Sequence, residues 1–215
     1  MKKLRILSLA MAAAMSVSLL AGCSNGTATT PEDDTTSTAT GTAFKIGGTA
    51  PLTGDASIYG LAVQRGAQIA VDEINAEGGS IQFELKYEDD VNDPEKAVNA
   101  YNTLKDWGMQ LSLGSVTTKP CESTSVYNFE DRIFALTPSA SSTAVVEGKD
   151  NVYQMCFTDP NQGLASADYI NSQGLGEKVF IIWKNDDVYS TGIKDTFMAE
   201  AEKLGLEVVG DATFA

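Results

Sequence analysis

The groups in this chain that could do chemistry are hydroxyls, and they gather at two places within residues 111–141, LSLGSVTTKPCESTSVYNFEDRIFALTPSAS. Leu111-Ser112-Leu113 reads as a short buried strand that breaks at Gly114. Ser115-Val116-Thr117-Thr118 then leads into Lys119-Pro120, where Pro120 suits the first turn of a helix. Residues 133–136 repeat the design and end in Thr137-Pro138-Ser139-Ala140-Ser141, with Ser141 placed to cap the next helical segment. Two sets of hydroxyls and backbone N–H groups therefore leave two strand ends, the edge at which open parallel sheets bind small ligands. Unpaired amides and a helix dipole aimed at one point favour an anionic group such as a carboxylate or phosphate. Ser and Thr are also good N-caps, which accounts for either site alone. The pair points to a ligand.

Composition removes whole classes of function. The 215 residues include no His, which excludes a Ser-His-Asp triad, a Cys-His pair and every His-based metal site. Fifteen Lys and Arg stand against 29 Asp and Glu. Three of the basic residues (Lys2, Lys3, Arg5) precede an expected cleavage point, so the mature part carries 12 against 29, a net −17. Such a surface argues against nucleic acid as a partner. The apolar fraction of 43% is that of a globular body with a real core.

The elements that must position these hydroxyls alternate without interruption. A first buried strand over 44–50 is followed by a glycine-bearing loop, 51–60, and by Val63, Ala67, Ala70, Val71 and Ile74 at helical spacing up to Gly78-Gly79. A second strand spans 81–87. Asp93 caps the next helix, Pro94 occupies its first position, and Ala97, Tyr101 and Leu104 form its inner face. After the 111–141 stretch, 152–157 is extended again, Asp159-Pro160 opens a helix to about residue 173, and 178–183 is a β-rich apolar run. A helix over 191–204 ends at Gly205, and 207–212 is a last strand. Strands alternating with helices predict doubly wound parallel sheets with right-handed crossovers, an α/β architecture. Trp107 and Trp183 are expected in its core.

Other motifs carry less. Gly47-Gly48 and Gly54 fit neither the G-x-G-x-x-G pattern nor a P-loop, because Asp55-Ala56 follow where Lys and Ser or Thr are required. The acids Glu88, Asp89, Asp90 and Asp93 lack EF-hand spacing and read better as a solvated strand end with a helix cap. Cys121 and Cys156 lie in a part in which a disulfide is chemically allowed. Cys156, in an apolar strand, reads as a buried free thiol, and sequence does not fix how closely the two approach.

The N-terminus has a basic segment, an apolar run over 6–20 shorter than the ~20 residues of a membrane span, and Leu20-Ala21-Gly22-Cys23. It resembles a bacterial lipoprotein signal, which implies cleavage before Cys23, acylation of Cys23 and anchoring at the outer face of the membrane. Residues 1–22 are then the signal. Residues 23–43, from the lipidated Cys23 on, form a Thr-rich tether with no apolar periodicity.

From residue 44 onward the chain resembles the substrate-binding proteins of branched-chain amino acid ABC transporters, the leucine/isoleucine/valine-binding family with a two-lobed type I periplasmic-binding-protein fold. The matching residues are FKIGGTAPLTG from Phe44 to Gly54, Tyr59-Gly60, Gly66, and Ile74-Asn75-Ala76-Glu77-Gly78-Gly79. They continue through Tyr87 to Asp90, Asp93-Pro94, Gly114 to Thr118, Thr137-Pro138-Ser139, Asp159 to Gly163, and Tyr189 to Gly192. The resemblance implies a first lobe over 44–158 and a second over 159–215, the latter incomplete, so that the chain is expected to be the N-terminal part of a longer product. It also implies that Thr118, beside Thr117, holds a ligand carboxylate by hydroxyl and N–H, with a methyl where the family usually has serine. Ser139 would offer a carbonyl to the ligand ammonium, and Ser141 a hydroxyl and N–H. Tyr59 would close from the first loop, with Asn161 and Tyr189 reaching from the second lobe. An acidic partner for the ammonium is expected from the missing part. No cofactor, metal or catalysis is implied; the partners are an amino acid, a permease with its ATPase, and the membrane through the lipid.

Two rivals remain open. The same two-lobed fold serves as an extracellular ligand-sensing domain. A hydrolase would need a base, and no Lys or carboxylate stands in recognisable spacing to Ser139 or Ser141.

Overall fold

The β-rich and helical segments assemble into two parallel sheets, in a computed structural model that describes residues 42–214. The signal, the acylation of Cys23 and the tether up to residue 41 lie outside the described residues. The first strand, β1 (Thr42–Ala50), starts inside the expected tether because Thr42 and Ala43 already pair with Ile81 and Gln82. Its partner β2 (Ile81–Asp89) runs beside it over the full length, and β3 (Leu111–Leu113) joins its other side through Ile46↔Leu111. With β4 (Phe134–Thr137) and β5 (Val152–Gln154) these make a five-stranded parallel sheet in the order β2-β1-β3-β4-β5. A second parallel pair holds β6 (Lys178–Lys184) and β7 (Glu207–Phe214). The doubly wound expectation therefore holds.

Among the described residues five helices connect the strands: α1 (Ser57–Ala76), α2 (Pro94–Trp107), α3 (Thr118–Glu130), α4 (Asp159–Ser172) and α5 (Val188–Leu204). The signals at α2 act as read: Asp93 accepts from the Lys96 N–H at 2.9 Å, Pro94 sits in the first turn, and Ala97, Tyr101 and Leu104 are buried. Full burial of a side chain such as Leu104 stabilises by about 1.5–3 kcal/mol. Tyr101, Leu104 and Met109 form one core cluster, and Cys121, Ala135, Ala140, Val145 and Val152 a second. A third, under the β6–β7 pair, joins Ala167, Phe197, Ala201 and Leu206.

Several expectations change. Helix α1 begins at Ser57, not near Val63, and of its expected inner face Val71 is buried while Ala70 and Ile74 are exposed. The helix covers chiefly β1 and β2 at the sheet margin, so a narrow stripe suffices. Only 152–154 of the extended segment pairs with β4; Met155 and Phe157 are exposed beyond it. Trp107 and Trp183 are half-buried at the surface, where the Lys45 and Lys194 ammoniums stand 5.0 and 4.5 Å from their rings. Cys156 is half-buried and, like Cys121, a free thiol.

The acids after β2 are ligands of the backbone. Asp89 accepts from the Leu52 N–H at 2.8 Å and the Thr53 hydroxyl at 2.6 Å, which ties the β1–α1 loop to the sheet end. Asp90 is fully buried and accepts from the Asn92 N–H at 2.8 Å, while its other oxygen has no partner. Burial lifts this carboxyl to about 6. The solvated strand end read from sequence is thus corrected.

Candidate functional site

Parallel strands that share a direction put the ends of β1, β3 and β4 at one edge, and small hydroxyl residues there bond to one another in place of water. Thr49 Oγ1 pairs with Ser115 Oγ, which also meets Thr124 Oγ1 at 3.0 Å. Thr137 Oγ1 donates to the Ser115 carbonyl at 2.7 Å and accepts from the Ala140 N–H at 3.0 Å. Gly48 permits this closeness, since a Cβ there would collide with the Leu113 carbonyl and the Tyr87 ring. From the other side the Gln154 amide donates to the carbonyls of Ala140 and Ser142, both at 2.8 Å. The 137–142 loop is thereby fixed before any ligand arrives, which lowers the ordering cost of binding.

On this platform the two predicted hydroxyl loops meet. The Ser141 N–H donates to Thr118 Oγ1 at 3.3 Å, and both residues are buried. Thr117 occupies the N-cap of α3 yet makes no capping bond; its hydroxyl is buried without a partner. The first-turn N–H groups of α3 therefore keep their affinity for an anion. By contrast α2, α4 and α5 are capped by Asp93, Thr158 and Asp187. The Ser141 hydroxyl caps nothing either, because Ser142 caps the following 3-10 turn (Thr143–Val145) in its place. One residue's shift leaves the Ser141 side chain with no capping role, beside the Asp159 carboxyl.

The remaining predicted residues sit elsewhere. Ser139 is exposed, and its N–H donates to Thr137 Oγ1 at 3.4 Å. Tyr59 is 62% exposed and belongs to the first turn of α1, not to the preceding loop. Asn161 is exposed in the first turn of α4, its N–H taken by Thr158 Oγ1 at 3.4 Å. Tyr189 is 40% exposed in the first turn of α5 and shares a hydrogen bond with the Gln162 side chain. The structure thus brings Thr117, Thr118 and Ser141 together and gives Tyr59, Asn161 and Tyr189 no hydrogen bond to them. Burial pushes the Cys121 thiol up to about 12, so it stays protonated at neutral pH and offers no nucleophile.

Sequence reading missed Ser115, Thr137 and Gln154 as positioning residues, since their partners are remote in the chain. In the sequence Asp159 reads only as a helix opener. A signal did exist: Thr158 and Asp159 both precede Pro160 as cap-type residues, and one helix needs one cap. Thr158 takes that role by accepting from the Asn161 N–H. Asp159, 2% exposed, is left over.

Comparison with known proteins follows the same lines. A family described as "Periplasmic binding protein" matches residues 43–215. The Leu/Ile/Val-binding protein BraC3 of Rhizobium johnstonii is 34% identical over 171 residues, which cover 78% of this chain and 46% of that protein. A Leu/Ile/Val-binding protein homolog 3 of Brucella melitensis is 33% identical over 167 residues, with 76% and 45% covered. Among solved structures, the branched-chain amino acid transporter substrate-binding protein LivJ of Streptococcus pneumoniae, in complex with isoleucine, superposes with a TM-score of 0.75. It is 28% identical, over 81% of this chain and 50% of that one. The chain spans about half the length of the relatives it matches.

Proposed function

The chain belongs to the periplasmic binding protein family, and from that membership we propose that it is the ligand-capturing component of an ABC importer. It takes a small amino acid, branched-chain or similar, between two lobes and hands it to a membrane permease served by an ATPase, with no chemical turnover. Cys23, acylated after cleavage of residues 1–22, holds it at the outer face of the membrane. Among the described residues no helix is long and apolar enough to cross a membrane.

The observation that carries this reading is the meeting of Thr118 with Ser141 over the uncapped start of α3. The ligand carboxylate sits at the Thr117-Thr118 N–H groups and the Thr118 hydroxyl, the Ser141 N–H stands beside it, and the Ser139 carbonyl accepts from the ammonium. Tyr59, Asn161 and Tyr189 come onto the ligand when the lobes close, since hinge closure changes side-chain reach by many ångströms while the platform stays rigid. Relatives named Leu/Ile/Val-binding, and the solved neighbour bound to isoleucine, support an aliphatic amino acid as the ligand.

Calorimetry on the mature product of the complete reading frame, against amino acids, their amides and short peptides, tests this. Saturable binding of an aliphatic amino acid is expected; binding of sugars or phosphates alone would overturn the reading. Radioactive fatty acid fed to cells is expected to label the protein, and labelling that survives Cys23→Ala would remove the anchor from it.

A further inference from the structure

Among the described residues proline stands in the first turn of three helices, each time at a different position. In α2 it is the first residue after the cap (Pro94 after Asp93), in α4 the second (Pro160 after Thr158) and in α3 the third (Pro120 after Thr117). The position decides what the cap can do. A capping oxygen accepts from the N–H of the second or third helical residue. In α2, α4 and α5 the third donates: Lys96 to Asp93 at 2.9 Å, Asn161 to Thr158 at 3.4 Å, and Ser190 to Asp187 at 3.1 Å. In α3 that third residue is Pro120, which has no N–H to give.

Thr117 meets every other requirement of a cap. It is a capping residue type, and its backbone lies in the same extended region as that of Asp93, Thr158 and Asp187. The first hydrogen bond of α3, from the Cys121 N–H to the Thr117 carbonyl at 3.1 Å, is in place. Yet Thr117 Oγ1 is buried with no hydrogen-bond partner. An unsatisfied buried hydroxyl destabilises the fold, and such groups often mark the place of a ligand, ion or water. The facing loop supplies an independent sign of the same kind. Ser141, 3% exposed, places its N–H on Thr118 Oγ1 and leaves its own hydroxyl without a partner. An anion drawn to the Thr118 and Lys119 N–H groups, which lie ahead of the helical ladder, stands at the helix end that carries the Thr117 hydroxyl, and a hydroxyl can donate as well as accept.

We propose that Pro120 is a positioning residue of the ligand site: by removing the N–H that would satisfy Thr117 within the helix, it keeps the Thr117 hydroxyl free to donate to the carboxylate bound at the start of α3. The ligand then meets a hydroxyl donor beside the amide donors, where a capped helix would offer only the amides its cap had left. This deepens the amino-acid-binding reading and rests on it.

The test reads leucine affinity by calorimetry, and the melting temperature without ligand, on the mature product of the complete reading frame. On the wild-type background Thr117→Val is expected to weaken leucine by roughly 10-fold or more and to leave the melting temperature unchanged or higher, because the hydroxyl has no partner within the protein. Thr117→Ser returns the hydroxyl and is expected to recover affinity to within about 3-fold. Pro120→Ala supplies the missing N–H, so Thr117 caps α3 and leucine weakens by roughly 5-fold or more. On that background the effects of Thr117→Val exchange: it costs no further affinity and lowers the melting temperature by about 1–3 °C, as a lost cap does. A proline that merely fills the core produces no such exchange. Equal weakening of leucine by Thr117→Val on both backgrounds, or none on the wild-type one, overturns the inference and leaves carboxylate capture by Thr118 standing. Pro120 is fully buried; should Pro120→Ala fail to fold, Pro120→Val refills the volume of the ring and restores the N–H, with the same exchange expected. Should both fail, valine and serine at position 117 decide on the wild-type background: equal affinities overturn the inference, and a loss confined to valine supports it. A wild type that binds neither leucine nor any other amino acid refutes the amino-acid reading and the inference with it.

Discussion

Two strand-helix-strand units in this molecule are built alike and end in different situations. In the first, β1 and β2 run parallel with α1 between them, and β3 closes the other side of β1, so Gly47, Gly48, Thr49 and Ala50 are all buried. In the second, β6 and β7 run parallel with α5 between them, and among the described residues β6 has a neighbour on one side only. Helices α4 and α5 cover the face that carries Val179, Ile181 and Val208, around Ala167, Phe197 and Ala201. Phe180 and Ile182, pointing the other way, are 55% and 70% exposed. Strand β6 reads KVFIIWK, apolar at consecutive positions, the composition of a strand buried on both faces. Equal sequence character therefore gives unequal burial. The first unit is held by its sheet, the second by the packing of two helices on one face of a short one.

Breaking the helix packing should have the largest effect. Phe197→Ala removes the largest buried side chain of the third cluster, and a loss of ~3–5 kcal/mol is expected in urea unfolding. Hydrogen exchange should then show β6 and β7 unprotected while β1 to β4 keep their protection; uniform loss would make the two units one cooperative body.

Next in size is an acid stored in the first unit. The folded Asp90 carboxyl titrates at about 6, above its unfolded value, so the folded state holds a proton that the unfolded chain releases as the pH rises from about 4. Stability from this group is thus greatest below that window and falls as the pH rises through 6. Asp90→Asn keeps the acceptor for the Asn92 N–H, and is expected to raise stability at pH 8 by about 2–3 kcal/mol while flattening the dependence between pH ~4 and ~6. Chemical denaturation across that range checks both parts. An unchanged slope would move the titration to another group.

A smaller effect belongs to the site. Thr118→Val preserves shape and removes the hydroxyl; ~1.5–3 kcal/mol of amino-acid affinity should vanish in calorimetry, together with a lower melting temperature because the buried Ser141 N–H loses its acceptor. Loss of no affinity would move the carboxylate off the first unit.

The smallest concerns the exposed face of β6. Ile182→Thr should change stability by no more than ~0.5 kcal/mol and reduce self-association in light scattering, because the residue is largely in solvent. A cost well above 1 kcal/mol would mean that this face is covered in solution.

Much of the fold was legible because its signals are local. Asp93-Pro94 starts a helix through one side chain and one fixed φ, and Gly205 ends α5 in the left-handed region at φ 74 that glycine adopts freely. Where no local signal exists, reading failed. Ala56 precedes α1 without a capping bond, so nothing local marks the start at Ser57 or puts Tyr59 inside the helix. Met155 to Phe157 look like strand by composition, yet a strand needs a partner, and pairing with β4 stops at Gln154.

The sequence by itself determined that the chain is α/β with parallel strands, that two hydroxyl-rich loops leave strand ends, and that these 215 residues carry no His. These are properties of periodicity, capping and composition, each spanning a few residues or counted over all of them. Only the tertiary structure decided that Thr118 and Ser141 touch, that Ser142 and not Ser141 does the capping, and that Asp159 is buried with no cation paired to it among the described residues. Those facts depend on groups 18 to 23 residues apart meeting across a sheet edge, where a shift of one residue changes which oxygen is satisfied within the protein and which is left for something else.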